Sequence, residues 1–273
     1  MPATAFALAL GAAFLHASWN LLLARARDPE AATAVALVAA VAVFAPVAAA
    51  TWELDRRVWP YLAATAVLEL AYFALLGAAY RRAELSFVYP ISRGLAPVLV
   101  LVVGAVALGS GAGAVQAAGV VLVGAGVLLV RGLGGPRGTA DAALALTIAS
   151  CIAAYTLVDD RGIQHAGPIL YLELAMIPAA LGYAGGLLAL GGRPRIRAEL
   201  RPAPALAGIL SFVAYVLVLE ALERSSPAPV AAVRETSVVI ATALAAPLLG
   251  ERVARSRLAG AALVVAGIAL LGL

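Results

Sequence analysis

Eight ionisable side chains interrupt otherwise apolar stretches of this chain: His16, Glu69, Arg93, Asp159, Glu173, Glu220, Arg234 and Glu235. Ionisable groups in such surroundings are costly and mark a cavity, an ion path or a charged partner. Their depths differ. Glu69 lies near the middle of its stretch, and a central carboxylate removed from water is a candidate proton carrier. Arg93 and Arg234 each lie about two helical turns inside theirs. Each can anchor an anionic group, form a gate ion pair in one state, or pair permanently with a nearby glutamate. Asp159, Glu173 and Glu220 lie close enough to the ends of their stretches that a solvated rim position serves as well as a buried one.

Helical spacing groups further side chains around these. His16, Trp19 and Asn20 share a face, since residues three and four apart are neighbours on a helix. Glu69 shares one with Tyr72, Tyr89 with Arg93, Tyr155 with Asp159, Ser211 with Tyr215, and Arg234 with Ser237. Aromatic walls with a few polar fixings are the usual make-up of a small-molecule site. The candidate substrate-binding set is therefore His16, Trp19, Asn20, Glu69, Tyr72, Tyr89, Arg93, Tyr155, Tyr215, Arg234 and Ser237, with Glu69 also the candidate for proton coupling. Trp59, Tyr61 and Tyr80 fall at the ends of stretches and read as interfacial aromatics. A metal site is not expected, because the other histidine, His165, lies in a loop and no cluster has ligand spacing. No cofactor is expected either.

These residues must be positioned by membrane-spanning helices. The chain is 64% hydrophobic, with a mean hydropathy of +1.01, and a span needs roughly 20 mostly apolar residues. Ten spans are expected, at about 4–24, 32–51, 58–80, 86–108, 112–131, 140–159, 167–190, 203–222, 227–249 and 255–273. They use nearly the whole chain, which places function inside the bundle. Prolines at 46, 90, 97, 178, 229 and 247 fall within spans, where each frees a backbone carbonyl.

The two halves of the chain repeat one another. Arg93 falls on Arg234, Ala118-Gly119 on Ala259-Gly260, Leu122-Val123 on Leu263-Val264 and Ala125-Gly126 on Ala266-Gly267. At the front ends Trp19 meets Tyr155 and Arg25 meets Arg161. Five spans per half is an odd number, so the second copy enters the membrane inverted. An inverted repeat with a midplane site is the architecture of secondary transporters. The expected fold is an all-α membrane protein with ten transmembrane helices in two inverted five-helix repeats. Residues 1–132 form the first, 133–138 the glycine- and proline-bearing hinge, and 139–273 the second.

Several chemistries are excluded. All 19 basic residues are arginine, which removes a Schiff-base lysine and a phosphate-loop lysine. No Gly-x-Ser-x-Gly elbow occurs, and the Asp159-Asp160 pair alone is too few carboxylates for Mg²⁺-held diphosphate. The chain reads as a non-enzyme. Its net charge of +4 comes without a basic helix face or interleaved aromatics, so no nucleic-acid partner is expected. Cys151 is alone, so no intramolecular disulfide forms.

Thirteen arginines lie in loops after odd-numbered spans and four in loops after even-numbered ones. By the positive-inside rule the odd loops are cytoplasmic and both termini lie outside. The N-terminus lacks a basic leader, and its first apolar run is full length, so it reads as a span and not a cleaved signal. The expectation is a multi-pass protein of the plasma (inner) membrane, of bacterial type.

Three segments carry a family likeness: His-Ala-Ser-Trp-Asn at 16–20, Tyr-Pro-Ile-Ser-Arg-Gly-Leu-Ala-Pro at 89–97, and Leu-Leu-Gly-Glu-Arg at 248–252 before a glycine-bearing last span. With them the chain resembles, over essentially its full length, the EamA-type transporters of the drug/metabolite transporter superfamily. The resemblance implies a carrier, commonly an exporter of amino acids, other metabolites or toxic compounds, with its cavity lined from both halves. It implies both termini inside, opposite to the arginine count. Gly109-Ser110-Gly111, the counterpart of Gly250-Glu251-Arg252, lacks both charges, so a two-sided role for Glu251 does not follow.

The expected activity is alternating-access export of small polar or zwitterionic metabolites such as amino acids. Buried arginines repel a lipophilic cation in a low dielectric. Glu69 and the aromatics keep multidrug efflux as the alternative, and a non-transporting binding or scaffold subunit is an alternative of another class. The expected partners are the lipid bilayer and a small-molecule substrate, with the chain a monomer or homodimer.

Overall fold

The protein is described by a computed structural model covering residues 1–81, 85–109, 113–131, 139–240, 243 and 255–272. Helix is the regular secondary structure of these residues. The chain forms α1 (Ala3–Ala24), α2 (Pro29–Ala50), α3 (Trp59–Arg81), α4 (Leu85–Leu108), α5 (Ala114–Arg131), α6 (Thr139–Gly162), α7 (Pro168–Ala189), α8 (Arg193–Glu199), α9 (Pro202–Leu222), α10 (Pro227–Arg234) and α11 (Arg255–Gly272). Six segments, corresponding to α1, α2, α3, α6, α7 and α9, are long and apolar enough to cross a bilayer, and shorter apolar helices lie within α4, α5 and α11. A 22-residue helix is about 33 Å long at 1.5 Å per residue, close to the hydrocarbon thickness.

Local sequence sets the helix starts. Proline occupies the first turn of α2, α7, α9 and α10, where its missing N–H costs nothing and its φ is already helical. Asp28 caps α2 by accepting from the Ala31 amide at 3.2 Å.

Among the described residues, the eleven α-helices differ from the ten expected spans in two places. The basic connector after α7 folds into the short helix α8. The expected span at 227–249 is interrupted: α10 stops at Arg234, Glu235 and Thr236 form a turn, and helix resumes over 237–240. The 133–138 hinge lies outside the described residues.

Packing respects the exchange of halves. Mapping α1 to α6, α2 to α7, α3 to α9, α4 to α10 and α5 to α11 turns each major contact into another. The α1–α9 pair becomes α6–α3, α2–α9 becomes α7–α3, and α4–α6 becomes α10–α1; α2–α7, α4–α10 and α5–α11 map onto themselves. The last of these is a glycine contact. A Cβ on Gly119 would sit 2.9 Å from the Gly267 carbonyl oxygen, and one on Gly126 would sit 2.6 Å from that of Gly260. The glycines that align in sequence, Gly119 with Gly260 and Gly126 with Gly267, thus meet crosswise, as a two-fold contact requires. Only glycine lets the backbones come this close.

Loops tie the halves together at both faces. At the face opposite the termini, Arg195 of α8 binds Asp28 (2.5 and 3.0 Å) and Glu30 (2.8 Å), while the buried Glu199 accepts from the backbone amides of Arg27 and Asp28 at 3.1 Å each. The guanidinium beside Asp28 holds its carboxyl below the usual value. At the terminal face the equivalent loops meet through neutral groups: Asp55 N–H donates to the His165 carbonyl at 2.8 Å, and Tyr61 stacks on His165 at 5.7 Å.

Candidate functional site

A cavity of about 80 Å³ lies in the bundle. Its wall takes His16 and Trp19 from α1, Glu69 and Tyr72 from α3, Arg93 from α4, Tyr155 from α6, Tyr215 from α9 and Arg234 from α10. Eight of the eleven side chains picked out by helical spacing therefore come to one space. Asn20 does not line it; its amide donates to the His16 carbonyl at 2.8 Å. Ser237 is buried beyond the break after α10 and is also absent from the wall. The Tyr89 side chain lies outside the described residues.

The two arginines reach the site from opposite faces. Arg93 lies eight residues into α4 and Arg234 seven residues into α10, or about 12 and 10 Å along their axes. They meet on one carboxylate. Arg93 Nη1 lies 3.5 Å and Arg234 Nη2 3.4 Å from Glu235 Oε1. Arg93 also donates to the Tyr72 hydroxyl at 3.0 Å. Adjacent residues do not face one another on a continuous helix. Arg234 and Glu235 do so because α10 ends between them. Sequence reasoning listed Glu235 among the ionisable residues without giving it a place in the site, and the helix break that directs it inward carries no strong local signal. The repeat position matching Glu235 is Gly94, where a Cβ would lie 2.9 Å from the Gly124 carbonyl oxygen. Close α4–α5 packing thus leaves the first half without a counterpart of Glu235.

Glu69 is 5% exposed and makes no hydrogen bond or ion pair among the described residues. It lies within electrostatic reach of Asp159, Arg234 and Arg93. The two arginines favour its charge through space, and a direct partner for the buried carboxylate is left to a proton, water or a cationic ligand. Edge-to-face rings link the two ends of the wall, with Tyr72–Tyr155 at 6.1 Å and Tyr155–Tyr215 at 5.9 Å.

Asp159 departs from the rim reading. It is 0% exposed and accepts three hydrogen bonds: from Thr65 at 2.5 Å and Tyr171 at 2.9 Å on Oδ1, and from Tyr215 at 2.5 Å on Oδ2. The cluster joins α3, α6, α7 and α9 near the terminal face, just beyond the cavity. Proximity of Asp159 to a helix end suggested solvent; the Thr65 and Tyr171 donors that bury it come from other helices and are invisible locally. Glu173 is likewise buried, with neither carboxylate oxygen hydrogen-bonded, and nothing in the structure explains it. Glu220 alone keeps a rim position, paired with Arg224 at 2.7 Å. Glu251 lies outside the described residues. Among the described residues no cluster of His, Cys, Asp or Glu is arranged to hold a metal.

A two-halved bundle of apolar helices around a largely apolar, aromatic-walled cavity with a few charged side chains is the form of a membrane transporter. The EamA-like transporter family matches residues 3–132 and again 141–273, and the chain belongs to that family. It is a multi-pass membrane protein of the drug/metabolite transporter type. A crystal structure whose title names no function is similar over 99% of this chain and 96% of its own, with a TM-score of 0.76 and 17% identity. At that identity the likeness speaks for the fold alone. A search of curated proteins found no match.

Proposed function

We propose that this protein is a secondary carrier of ten spans in two inverted five-helix repeats. It exports small polar or zwitterionic metabolites, amino acids foremost, by alternating access, with both termini outside the inner membrane. The observation that carries this reading is the charge layout of the cavity. Arg93 and Arg234 both border the cavity beside Glu235, and their guanidinium groups offer an anionic group a place to dock. Glu69 stands within reach of them with no partner of its own, ready for an ammonium group or a proton. A zwitterion satisfies both ends at once, whereas a lipophilic cation meets like charge from both arginines in a low dielectric. Glu69 is the proton-coupling residue in this reading.

Alternating access requires each face to close in turn. The Asp159 cluster is the terminal-face closure. Its three hydrogen bonds join four helices, and Tyr215 belongs to both cavity wall and closure. A ligand that moves the Tyr215 ring therefore loosens the same bond that holds this face shut.

The test is a thermal-shift panel on purified protein followed by efflux from reconstituted vesicles. A ligand at 100 times its dissociation constant stabilises by about 2.7 kcal/mol. Stabilisation by amino acids, lost in Arg234→Gln, supports the reading. Stabilisation by lipophilic cations alone replaces it with multidrug efflux centred on Glu69. Binding without solute movement reduces the protein to a non-transporting subunit.

A further inference from the structure

Three hydrogen-bonding atoms of the cavity-wall residues lack a partner among the described residues, and one of them, Arg234 Nε, belongs to a guanidinium already engaged with Glu235. His16 Nε2 and Trp19 Nε1 are both shielded from solvent and both lack a partner. Trp19 is 8% exposed, and its indole N–H can only donate. Buried polar groups in folded proteins are nearly always paired, so each exception calls for a cause. Here the two orphans stand one turn apart on α1, with their rings in edge contact at 4.7 Å. His16 is within electrostatic reach of Arg93 and Arg234; Trp19 lies further along α1, toward the face opposite the termini, against the apolar cluster of Leu23, Ala32, Ala36 and Ala207.

The surroundings of Trp19 restrict what can reach its N–H. Thr33, which also borders the cavity, has its hydroxyl committed to the Pro29 carbonyl at 2.7 Å. Gly208 touches α2 so closely that a Cβ would fall 2.0 Å from the Ala36 carbonyl oxygen. This close packing of α9 on α2 narrows the space beside Trp19.

We infer that Trp19, with His16 beside it, is a specificity-determining part of the site, and that it selects zwitterions whose side chain carries a hydrogen-bond acceptor, an amide or a hydroxyl, over apolar ones of the same shape. This rests on the carrier reading above, in which the charged groups take the ammonium and carboxylate. The side chain then points along α1 to the spare indole donor. An apolar isostere fills the same volume but leaves that donor unpaired, and a site built around a hydrogen bond rejects the analogue lacking it for this reason.

Isosteric pairs isolate the effect: L-threonine against L-valine, and L-asparagine against L-leucine, titrated by calorimetry into the purified full-length protein. The expected result is about tenfold tighter binding of the polar member of each pair, the worth of about 1.4 kcal/mol. Trp19→Phe should bring the ratio close to one. If that variant does not fold, benzothienylalanine at position 19 keeps the bicyclic shape and replaces only the N–H with sulfur, and the same collapse is expected. Equal binding of both members by the unaltered protein overturns this inference while leaving the carrier reading intact. So does an unchanged ratio in both variants. Absence of binding by all four amino acids, with the protein folded, overturns this inference together with the amino-acid part of the carrier reading.

Discussion

The Tyr215 hydroxyl donates to Asp159 Oδ2 at 2.5 Å while its ring forms part of the cavity wall. One side chain therefore touches both the space that would hold a ligand and the fully buried carboxylate that ties four helices together. Asp159 has no neighbouring cation within ion-pair distance among the described residues; its charge is stabilised by three hydroxyl donors.

Removing those donors should loosen the terminal face. A hydrogen bond to a charged group is worth about 1.5–3 kcal/mol, so Thr65→Val should lower stability by about 2 kcal/mol and Tyr215→Phe by a similar amount. The two share one acceptor and should not add. Thermal unfolding of the single and double variants in detergent measures this. Strict additivity would show that the cluster does not act as a unit.

Glu235→Gln keeps the side-chain shape and removes the carboxylate shared by Arg93 and Arg234. Two buried guanidinium groups then face one another without it, and loss of one partner of a buried ion pair costs about 3–5 kcal/mol. The variant should express poorly or unfold at a much lower temperature. Adding Arg93→Gln should recover part of the loss, because one unmatched charge disappears. A Glu235→Gln protein that melts with the parent would show that the triad carries no stability.

Glu69→Gln retains size and hydrogen-bonding capacity but cannot lose a proton. Substrate binding should weaken in calorimetry, because a neutral amide pairs less well with an ammonium group than a carboxylate does, while whatever transport remains in vesicles should cease to respond to an imposed pH gradient. Undiminished coupling in this variant would move proton exchange to another group.

The α5–α11 glycine contact predicts a sign. Gly126→Ala gains up to about 1 kcal/mol of helix propensity but places a methyl 2.6 Å from the Gly260 carbonyl oxygen, and overpacking costs about 1–3 kcal/mol. The net effect should be destabilising. Gly185→Ala in α7, where nothing lies within 4 Å of an added Cβ, should be neutral or stabilising. Opposite shifts in melting temperature test the pair.

The Arg195 clasp sets an acid limit. Asp28 has a folded-state pKa below its ordinary value of 3.8, chiefly through the hydrogen bond from Arg195. Its contribution is fully present above the ordinary value and is lost as pH falls from about 4 through the depressed value. Arg195→Gln should remove this slope and, with the pair partly exposed, cost no more than about 1 kcal/mol at neutral pH. Melting curves between pH 3 and pH 7, compared for parent and variant, read both effects; parallel acid limbs would exclude the clasp as the cause.

Much of the architecture was legible before any coordinates. Apolar runs of bilayer length leave a helix as almost the only solution, because every backbone polar group must be satisfied internally. The internal repeat announced matching helices in two halves, and the glycines that align across it proved to be those that meet. Spacing along single helices brought His16 next to Trp19 and Glu69 next to Tyr72, which follows from 3.6 residues per turn, while the inversion of the halves set the two arginines to approach from opposite faces.

What no single helix encodes was decided by tertiary structure. Glu235 enters the site because α10 stops one residue earlier, turning a neighbour in sequence into a neighbour in space. Asp159 is buried because Thr65, Tyr171 and Tyr215 arrive from three other helices to replace the water it would otherwise need. Asn20 and Ser237 share faces with site residues yet stay out of the wall, because a helical face is wider than the slice of it that the neighbouring helices leave open. Periodicity along one chain segment determines direction around an axis; which directions look onto a cavity depends on how closely the other helices approach, and that is set by contacts such as Gly208 with Ala36 and Gly94 with Gly124.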